Sequence, residues 1–211
     1  PRFYGGASAE PVSKDSEIYR VIKQSTRDNK APTYWGDQPF TGGPIYHGAI
    51  VCFLFLLGLL LVRGSIKWWL LSATVFAIVL SWGRNFPLIT DLFFYYFPLY
   101  NKFRVVSMIL VLAQFTMPFL AALALHHIIE QQKNKDEILK ALKISVGILA
   151  GVLLFFAFLS GSFFRFEAAG DANYPAQFAA MLIDERQSMM MMDSLRSLGF
   201  IITTAVLIWA F

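Results

Sequence analysis

The densest group of chemically capable side chains lies between Gly83 and Arg104, where charged, amide and phenolic groups alternate with phenylalanines. Arg84 directly follows one apolar run and Arg104 directly precedes another. A guanidinium fork matches phosphate oxygens, a helix N-terminus also favours anions, and aromatic rings offer faces to a sugar or an acyl chain. The pattern is compatible with a lipid-phosphate site and equally with the alternative that these residues only anchor helix ends. The residues predicted to bind substrate here are Arg84, Asp91, Tyr100, Asn101, Lys102 and Arg104.

Asp91 is the carboxylate of this segment, between Ile89-Thr90 and Leu92-Phe93. It is a candidate general base, metal ligand or ion-pair partner of Arg84 or Arg104. Because no second acid accompanies it, a local ion pair is the favoured interpretation.

A second candidate segment runs from Tyr34 to Ile50 and carries Trp35, Asp37 and Gln38 side by side with glycines that allow tight turns. An indole ring beside carboxylate and amide groups is typical of sugar-binding sites, which combine stacking with hydrogen bonds. The alternative is a turn held at a membrane interface by its aromatic residues. Trp35, Asp37 and Gln38 complete the predicted substrate-binding set.

No metal and no cofactor are predicted. His47 stands alone, and the pair His126-His127 has neither a cysteine nor a spaced carboxylate nearby. The sequence has no glycine-rich phosphate loop, no nucleophile elbow and no paired-carboxylate spacing. The catalytic residue is therefore unassigned.

The composition defines the elements that must position these side chains. The chain has 211 residues, 56% of them hydrophobic and 15% charged, whereas soluble domains have roughly a quarter charged residues. This excess of apolar residues predicts a membrane protein. The net charge of +4 comes from basic residues scattered along the chain, which excludes a nucleic-acid partner. The single Cys52 lies within an apolar run, so no intrachain disulfide is expected.

Hydropathy predicts an all-α, polytopic transmembrane helix bundle of about five spans. Residues 1–44 form the polar block, read as an extracytoplasmic loop with one amphipathic helix around Ile18, Val21 and Ile22; residues 45–211 form the transmembrane bundle. The predicted spans are Ile45 to Val62, Ile66 to Trp82, Val105 to Leu125, Ile144 to Phe164, and a run that begins near Leu195.

The intervening segments are assigned by composition. Gly83 to Arg104, with its prolines and charges, is predicted to be an interfacial or re-entrant element, because unsatisfied backbone groups are costly in hydrocarbon. His126 to Lys143 is expected to be a polar linker. Phe166 to Asp193 is mixed, with a helical piece from Pro175 and a surface-lying amphipathic helix leading into the last span.

The basic residues of the short loops predict the orientation. Arg63 and Lys67 lie in the first hairpin loop, and Lys133, Lys135, Lys140 and Lys143 lie in the second. With alternating spans both loops fall on one side, which the positive-inside rule makes cytoplasmic. The opposite, outer side then holds residues 1–44, 83–104 and 165–194.

Three stretches carry a resemblance to a known family: YWGDQPFTGGPIYHGAI from Tyr34, SWGRNFPLITDLFFYYFPLYNKFRVVSM from Ser81, and IDERQSMMMMDSLRSL from Ile183. With them, the chain resembles the YfhO-like family of large bacterial multi-span membrane proteins, over most of its length. The resemblance implies an internal portion of a longer chain in the bacterial cytoplasmic membrane. The family is similar to the C-type glycosyltransferases, which take sugars from polyprenyl-phosphate donors at the outer face.

In that architecture the catalytic acid lies in an early outer loop, which this chain is expected to lack, so no catalytic residue is carried over. The implied function is transfer of sugar from a polyprenyl-phosphate donor to a cell-envelope acceptor, with Arg84, Lys102 and Arg104 as candidates for holding the donor phosphate. The implied partners are membrane lipids, a lipid-linked sugar donor and the remainder of the longer chain. The alternative is a non-catalytic scaffold or lipid-handling protein. A transporter would place ionisable groups within its spans, where this sequence has only Gln114 as a clear polar residue.

Overall fold

The computed structural model of the chain describes residues 10–12, 14–25, 30–35, 47–83, 86–98, 100, 106–130 and 135–211. Besides its helices and the segments that connect them, the described part of the chain contains a two-residue antiparallel ladder that joins β1 (Glu10–Pro11) to β2 (Lys30–Ala31). The predicted all-α class is confirmed. The helices are α1 (Glu17–Ser25), α2 (Ala49–Leu61), α3 (Ile66–Ser81), α4 (Pro87–Tyr96), α5 (Val111–Glu130), α6 (Lys135–Phe158), α7 (Ser160–Phe163) and α8 (Ala176–Ala210). Short 3₁₀ turns cover Val106–Leu110 and Ala169–Asn173.

The residue contacts divide the chain into two units. The first unit comprises Pro1–Tyr46 and Gly147–Thr204, and the second comprises His47–Val146 and Ala205–Phe211. Each unit has a hydrophobic cluster of its own.

The first unit packs α1 and the β ladder against the N-terminal part of α8. The Ser16 hydroxyl accepts a hydrogen bond from the Tyr19 amide at 3.4 Å at the start of α1. Ile18 and Ile22, one turn apart, are buried. The predicted helix is therefore present, with two of its three named apolar residues buried and Val21 41% exposed. Their partners in the cluster are Val12, Ala31, Leu182 and Met189.

The second unit packs α2 and α3 against α5. At Gly58 an added Cβ would lie 2.8 Å from the carbonyl oxygen of Leu120, so only glycine permits the close approach of α2 to α5. The hydroxyls of Thr74 and Thr116 are 2.6 Å apart and join α3 to α5. Pro118 lies inside α5, one turn beyond Gln114. The buried apolar residues of this cluster are Phe55, Val62, Ala77, Ala113, Met117 and Leu120.

Three helical segments are long and apolar enough to cross a membrane: Met108–Glu130, Lys135–Phe158 and Ala176–Ala210. The apolar helices α2 and α3 have 13 and 16 residues, about 20 and 24 Å at 1.5 Å per residue. A bilayer core is about 30 Å thick. The long apolar helices are compatible with an integral membrane protein.

Two element boundaries differ from the sequence predictions. The expected polar linker from His126 to Lys143 is wrong for most of its length, because α5 continues to Glu130 and α6 already begins at Lys135. Asp136 and Glu137 lie in the first turn of α6, where carboxylates favour the positive end of the helix dipole, so these charges begin a helix rather than a loop. The fourth run therefore starts and ends earlier than Ile144 to Phe164.

The last predicted elements form one helix. The piece expected from Pro175, the methionine run and the final apolar run are all parts of α8, which has 35 residues. Met189 belongs to the cluster of the first unit and Met190 is also buried, so these thioethers fill a protein interior. One face of this part of α8 is therefore packed against protein, whereas Met192 is 61% exposed.

Candidate functional site

Within the segment from Gly83 to Arg104, which is predicted to be interfacial, the structure describes the helix α4; this helix belongs to the second unit. Pro87 occupies the first turn of α4, where its missing N–H leaves no hydrogen bond unmade. The Thr90 hydroxyl donates to the Gly83 carbonyl at 2.7 Å, which ties α4 to the end of α3. The Phe93 ring packs on Phe76 of α3 with a centroid distance of 5.6 Å. Gly83 has a positive φ of 49°, which permits the chain to turn there.

No residue of α4 is buried. Leu88, Tyr95 and Tyr96 are 77%, 76% and 82% exposed, and the Asp91 side chain is exposed as well. Monomeric soluble proteins rarely present so contiguous an apolar and aromatic surface, which is typical of a membrane-interface element or a binding surface. The helix therefore presents aromatic rings and one carboxylate to its surroundings.

Tyr100 follows α4 and packs on it. Its amide donates to the Phe97 carbonyl at 3.3 Å, and its ring lies 5.7 Å from that of Phe93. The hydroxyl is shielded from solvent and has no hydrogen-bond partner within the described part of the chain. Burial raises the pKa of this phenol above its ordinary value. Tyr100 is thus a neutral donor or acceptor with an unused hydrogen bond.

The structure places only part of the predicted site. Asp91 and Tyr100 lie in the α4 segment of the second unit, whereas Trp35 belongs to the first unit. The proposed ion pair of Asp91 involves Arg84 or Arg104, which are not described. The remaining predicted residues lie outside the described ranges; they are Arg84, Asn101, Lys102, Arg104, Asp37 and Gln38.

Trp35 is half-buried among phenylalanines. Its ring centroid lies 6.0 Å from that of Phe164 and 5.1 Å from that of Phe166. Phe166 is 2% exposed and has a φ of +54°, which is uncommon for a bulky residue. The indole therefore packs against the chain that follows α7.

The first unit also contains a buried charge that the sequence analysis did not single out. Arg186 of α8 is 3% exposed, and its guanidinium donates to both carboxylate oxygens of Asp171, at 2.6 and 2.9 Å. It also donates to the carbonyls of Phe166 at 2.7 Å, Pro32 at 2.9 Å and Tyr34 at 3.4 Å. One side chain thus joins α8, the segment after α7 and the chain that follows β2.

Asp171 is held in its charged form by these contacts. Burial by itself would raise the pKa of the carboxyl, but hydrogen bonds from Arg186 and from the Ala168 amide, together with the Arg186 charge, lower it below the ordinary 3.8. Burial of a charge is costly unless it is paired and hydrogen-bonded, and here both conditions are met. The Arg186–Asp171 pair therefore stabilises the fold of the first unit.

A signal for this arginine was present in the sequence. Leu182, Arg186 and Met189 are spaced at i, i+4 and i+7 and so share one helix face, and the two apolar members are buried. An arginine on a core-facing position requires a buried partner. The identity of that partner, Asp171, does not follow from helical spacing.

The two predicted basic loops are in contact within the second unit. The Arg63 guanidinium donates to both Glu137 oxygens at 3.0 Å, which places the α2–α3 turn beside the start of α6. The side of a membrane on which these two segments lie stays a prediction. Within the described ranges no cluster of His, Cys, Asp and Glu side chains is suited to a metal ion.

Comparison with known proteins found no match: no family profile, no curated protein and no solved structure is similar to this chain at a significant level. The functional argument therefore depends on the chemistry of the residues themselves.

Proposed function

We propose that this chain is part of a multi-span bacterial membrane protein of the YfhO-like type, which transfers sugar from a polyprenyl-phosphate donor to a cell-envelope acceptor at the outer face of the cytoplasmic membrane. The observation that carries the proposal is α4, a helix without a buried residue that connects two apolar helices and presents tyrosines and a carboxylate. Such a surface suits the boundary between headgroups and acyl chains, where a lipid-linked substrate presents its phosphate.

In the proposed topology α2 and α3 cross the membrane together with the three longer helices, and α4 lies at the outer interface or enters it. Trp68 and Trp69 at the start of α3 and Trp82 at its end are at least half exposed, as expected for residues at the two headgroup layers. Lys67, whose ammonium donates to the Leu59 carbonyl at 3.0 Å, marks the cytoplasmic end. The polar N-terminal segment then lies outside.

In the proposed site Arg84, Lys102 and Arg104 bind the donor phosphate, because all three are cations that flank α4 in the sequence. Tyr100 contributes its unused hydroxyl, and the tyrosines of α4 pack against the isoprenoid or the sugar. Asp91 orients one of the arginines. Trp35, Asp37 and Gln38 are assigned to the acceptor saccharide.

The alternative function is a non-catalytic scaffold or a lipid-handling protein. The same observation favours it, since exposed aromatic residues on α4 can anchor a protein at the interface without binding a donor. The two functions differ in what the cations do: a donor site requires them for turnover, whereas an anchor requires them for retention in the membrane.

The test is Arg104→Ala, made in cells that produce the protein, with mass profiles of the envelope glycans as the readout. The expected result is loss of the glycan modification at unchanged membrane abundance, because removal of a charge-assisted phosphate contact costs about tenfold or more in binding. Arg196→Ala, which removes an exposed arginine from α8, is the matched control and is expected to leave the profile unchanged.

An unchanged glycan profile in Arg104→Ala at normal abundance would rule out the donor site. Reduced abundance with an unchanged profile per molecule would favour the scaffold. Tyr100→Phe refines the test, since it removes only the hydroxyl and is expected to lower modification without affecting abundance.

A further inference from the structure

A polar cleft of about 330 Å³ lies in the first unit where the chain leaves α7. This volume is near the lower end of the range of small-molecule sites. Its walls include the rings of Phe163 and Phe164, the charged residues Arg165 and Glu167, and Gln187 of α8. Phe164 also contacts Trp35, whereas Phe163, Arg165, Glu167 and Gln187 belong to none of the sites considered above.

The cleft is attached to the end of a candidate span. The Phe163 ring lies 5.2 Å from Phe155, and the Phe164 ring lies 6.1 Å from Phe156, both in the last turn of α6. The Leu159 amide donates to the Phe155 carbonyl at 2.8 Å, so the helix passes almost directly into α7. If α6 crosses the bilayer, the cleft lies at the level of the lipid headgroups.

The opposite wall is fixed from the interior. Arg186 holds the Phe166 carbonyl, between Arg165 and Glu167, and Asp171 binds the same guanidinium. The Gln187 amide group crowds Gly161 so closely that a Cβ on residue 161 would overlap it. The backbone of this wall is therefore positioned before any ligand binds, which lowers the entropic cost of binding.

The charges of the cleft are opposite and separate. Arg165 and Glu167 are both exposed, and within the described part of the chain neither side chain takes part in an ion pair. Their nitrogen and oxygen atoms are thus more than 4.0 Å apart, the limit for a salt bridge. Two unpaired opposite charges on one cleft complement a ligand that itself carries separated charges.

We propose that this cleft binds the zwitterionic phosphoethanolamine headgroup of a phospholipid in the outer leaflet. The Arg165 guanidinium binds the phosphate oxygens, and the Gln187 amide donates to the same group. The Glu167 carboxylate accepts hydrogen bonds from the primary ammonium, which also faces the aromatic rings of Phe163 and Phe164. The acyl chains continue along the apolar surface of α6. This inference requires α6 to cross a membrane in the orientation proposed above, but it does not require the proposed sugar transfer.

The experiment uses the full chain in detergent, with native mass spectrometry to count bound lipid. The probes are dioleoyl phosphatidylethanolamine, the corresponding phosphatidylcholine and the corresponding phosphatidylglycerol, supplied singly at equal concentration. We expect the ethanolamine lipid to be retained about tenfold better than the glycerol lipid, because the glycerol lipid has no ammonium group for Glu167. We expect it also to be preferred over the choline lipid, whose quaternary ammonium has no N–H to donate to that carboxylate. Soluble glycerophosphoethanolamine, added as a competitor, is expected to displace it at high concentration; competition separates a headgroup site from a site that binds acyl chains alone.

Two variants test the roles proposed for Arg165 and Glu167. Arg165→Ala is expected to lower retention of the ethanolamine lipid about tenfold, and Glu167→Gln is expected to reduce its preference over the choline lipid to within about twofold. Arg196→Ala and Asp184→Asn, which remove exposed charges elsewhere on α8, are the matched controls and should retain lipid like the parent chain. All four residues are exposed, so the variants are expected to fold.

Equal retention of the three lipids by the parent chain would overturn the proposal. So would retention that is unchanged in both Arg165→Ala and Glu167→Gln. Displacement of the lipid by a neutral monosaccharide at the concentration that glycerophosphoethanolamine requires would also overturn it, and would assign the cleft to a sugar. Failure here leaves glycan profiles unaffected, so it is distinguishable from failure of the proposed sugar transfer.

Discussion

In the first unit the principal buried polar group is a charged arginine whose fork contacts a carboxylate and three carbonyls, whereas in the second unit it is a pair of threonine hydroxyls. Each hydroxyl is also placed to donate to its own helix, with the oxygens of Thr74 and Thr116 lying 2.7 and 2.9 Å from the carbonyls four residues earlier. The difference follows from what each unit must join. Irregular chain segments offer free carbonyls that a guanidinium can bind, whereas apolar helices leave little backbone unpaired and pack through small residues.

The largest expected effect comes from Arg186→Ala, which tests whether the first unit depends on its buried charge. Removal of one partner leaves Asp171 and three carbonyls without their donor, and we expect a loss of about 3–5 kcal/mol in the free energy of unfolding of this unit. Hydrogen exchange of residues 164–174 measures it, with Arg196→Ala as the control. Unchanged protection of this segment would contradict a stabilising role for the Arg186–Asp171 pair.

The next effect is acid sensitivity of the same unit. Because the pKa of Asp171 is lower in the folded state than in the unfolded state, its contribution to stability is present above the unfolded value of 3.8 and is lost as pH falls through the folded value. We expect the protection factor of the Ala168 amide, which donates to Asp171 at 2.8 Å, to decrease at low pH. Asp171→Asn should have weaker protection that no longer varies with pH in this range; an unaltered pH dependence would refute the assignment.

In the second unit the most direct test is to add a methyl group where α2 contacts α5. Gly58→Ala places a Cβ 2.8 Å from the Leu120 carbonyl oxygen, which cannot move without α5, and is expected to cost about 1–3 kcal/mol. Gly147→Ala is the matched control, since no atom lies within 4 Å of its added Cβ. In thermal unfolding in detergent, the midpoint temperature should be lower for Gly58→Ala and unchanged for Gly147→Ala. Equal midpoints would mean that the two helices are not in close contact.

The smallest expected effect concerns the threonine pair. Thr74→Val and Thr116→Val each remove one hydroxyl at nearly constant volume, and we expect about 0.6 kcal/mol of coupling between them, as for hydrogen bonds between membrane helices. A double-mutant cycle by unfolding in detergent isolates this energy. Coupling as large as the effect of Arg186→Ala would remove the contrast between the two units.

Hydrophobic periodicity was sufficient to predict the helical class and the helix α1. It failed at the ends of α5 and α6, because Lys135, Asp136 and Glu137 look like loop residues by composition although they suit the first turn of a helix. It also divided α8, since the charges around Arg186 interrupt the hydropathy signal while the helix itself continues.

The candidate site was predictable in its residue types but not in its arrangement. The aromatic character of α4 follows directly from its sequence, whereas the packing of Tyr100 on Phe93 depends on a turn whose direction local propensity does not define. The contact of Arg186 with the Pro32 carbonyl joins residues 154 positions apart, and no spacing rule in a single sequence reaches that far. Trp35 likewise packs on Phe164 and Phe166, which lie far from it in the sequence.

Pro118 gives α5 a property that a span of ordinary residues would lack. Its ring has no N–H for the carbonyl of Gln114, so the ladder of backbone bonds is interrupted two residues before the point where Leu120 meets Gly58. Bending at this point breaks no bond that the helix had formed, and an acceptor is left for water or a neighbouring donor. The missing backbone bond of α5 thus lies next to its close contact with α2, and Pro118→Ala is expected to restore a donor for the Gln114 carbonyl.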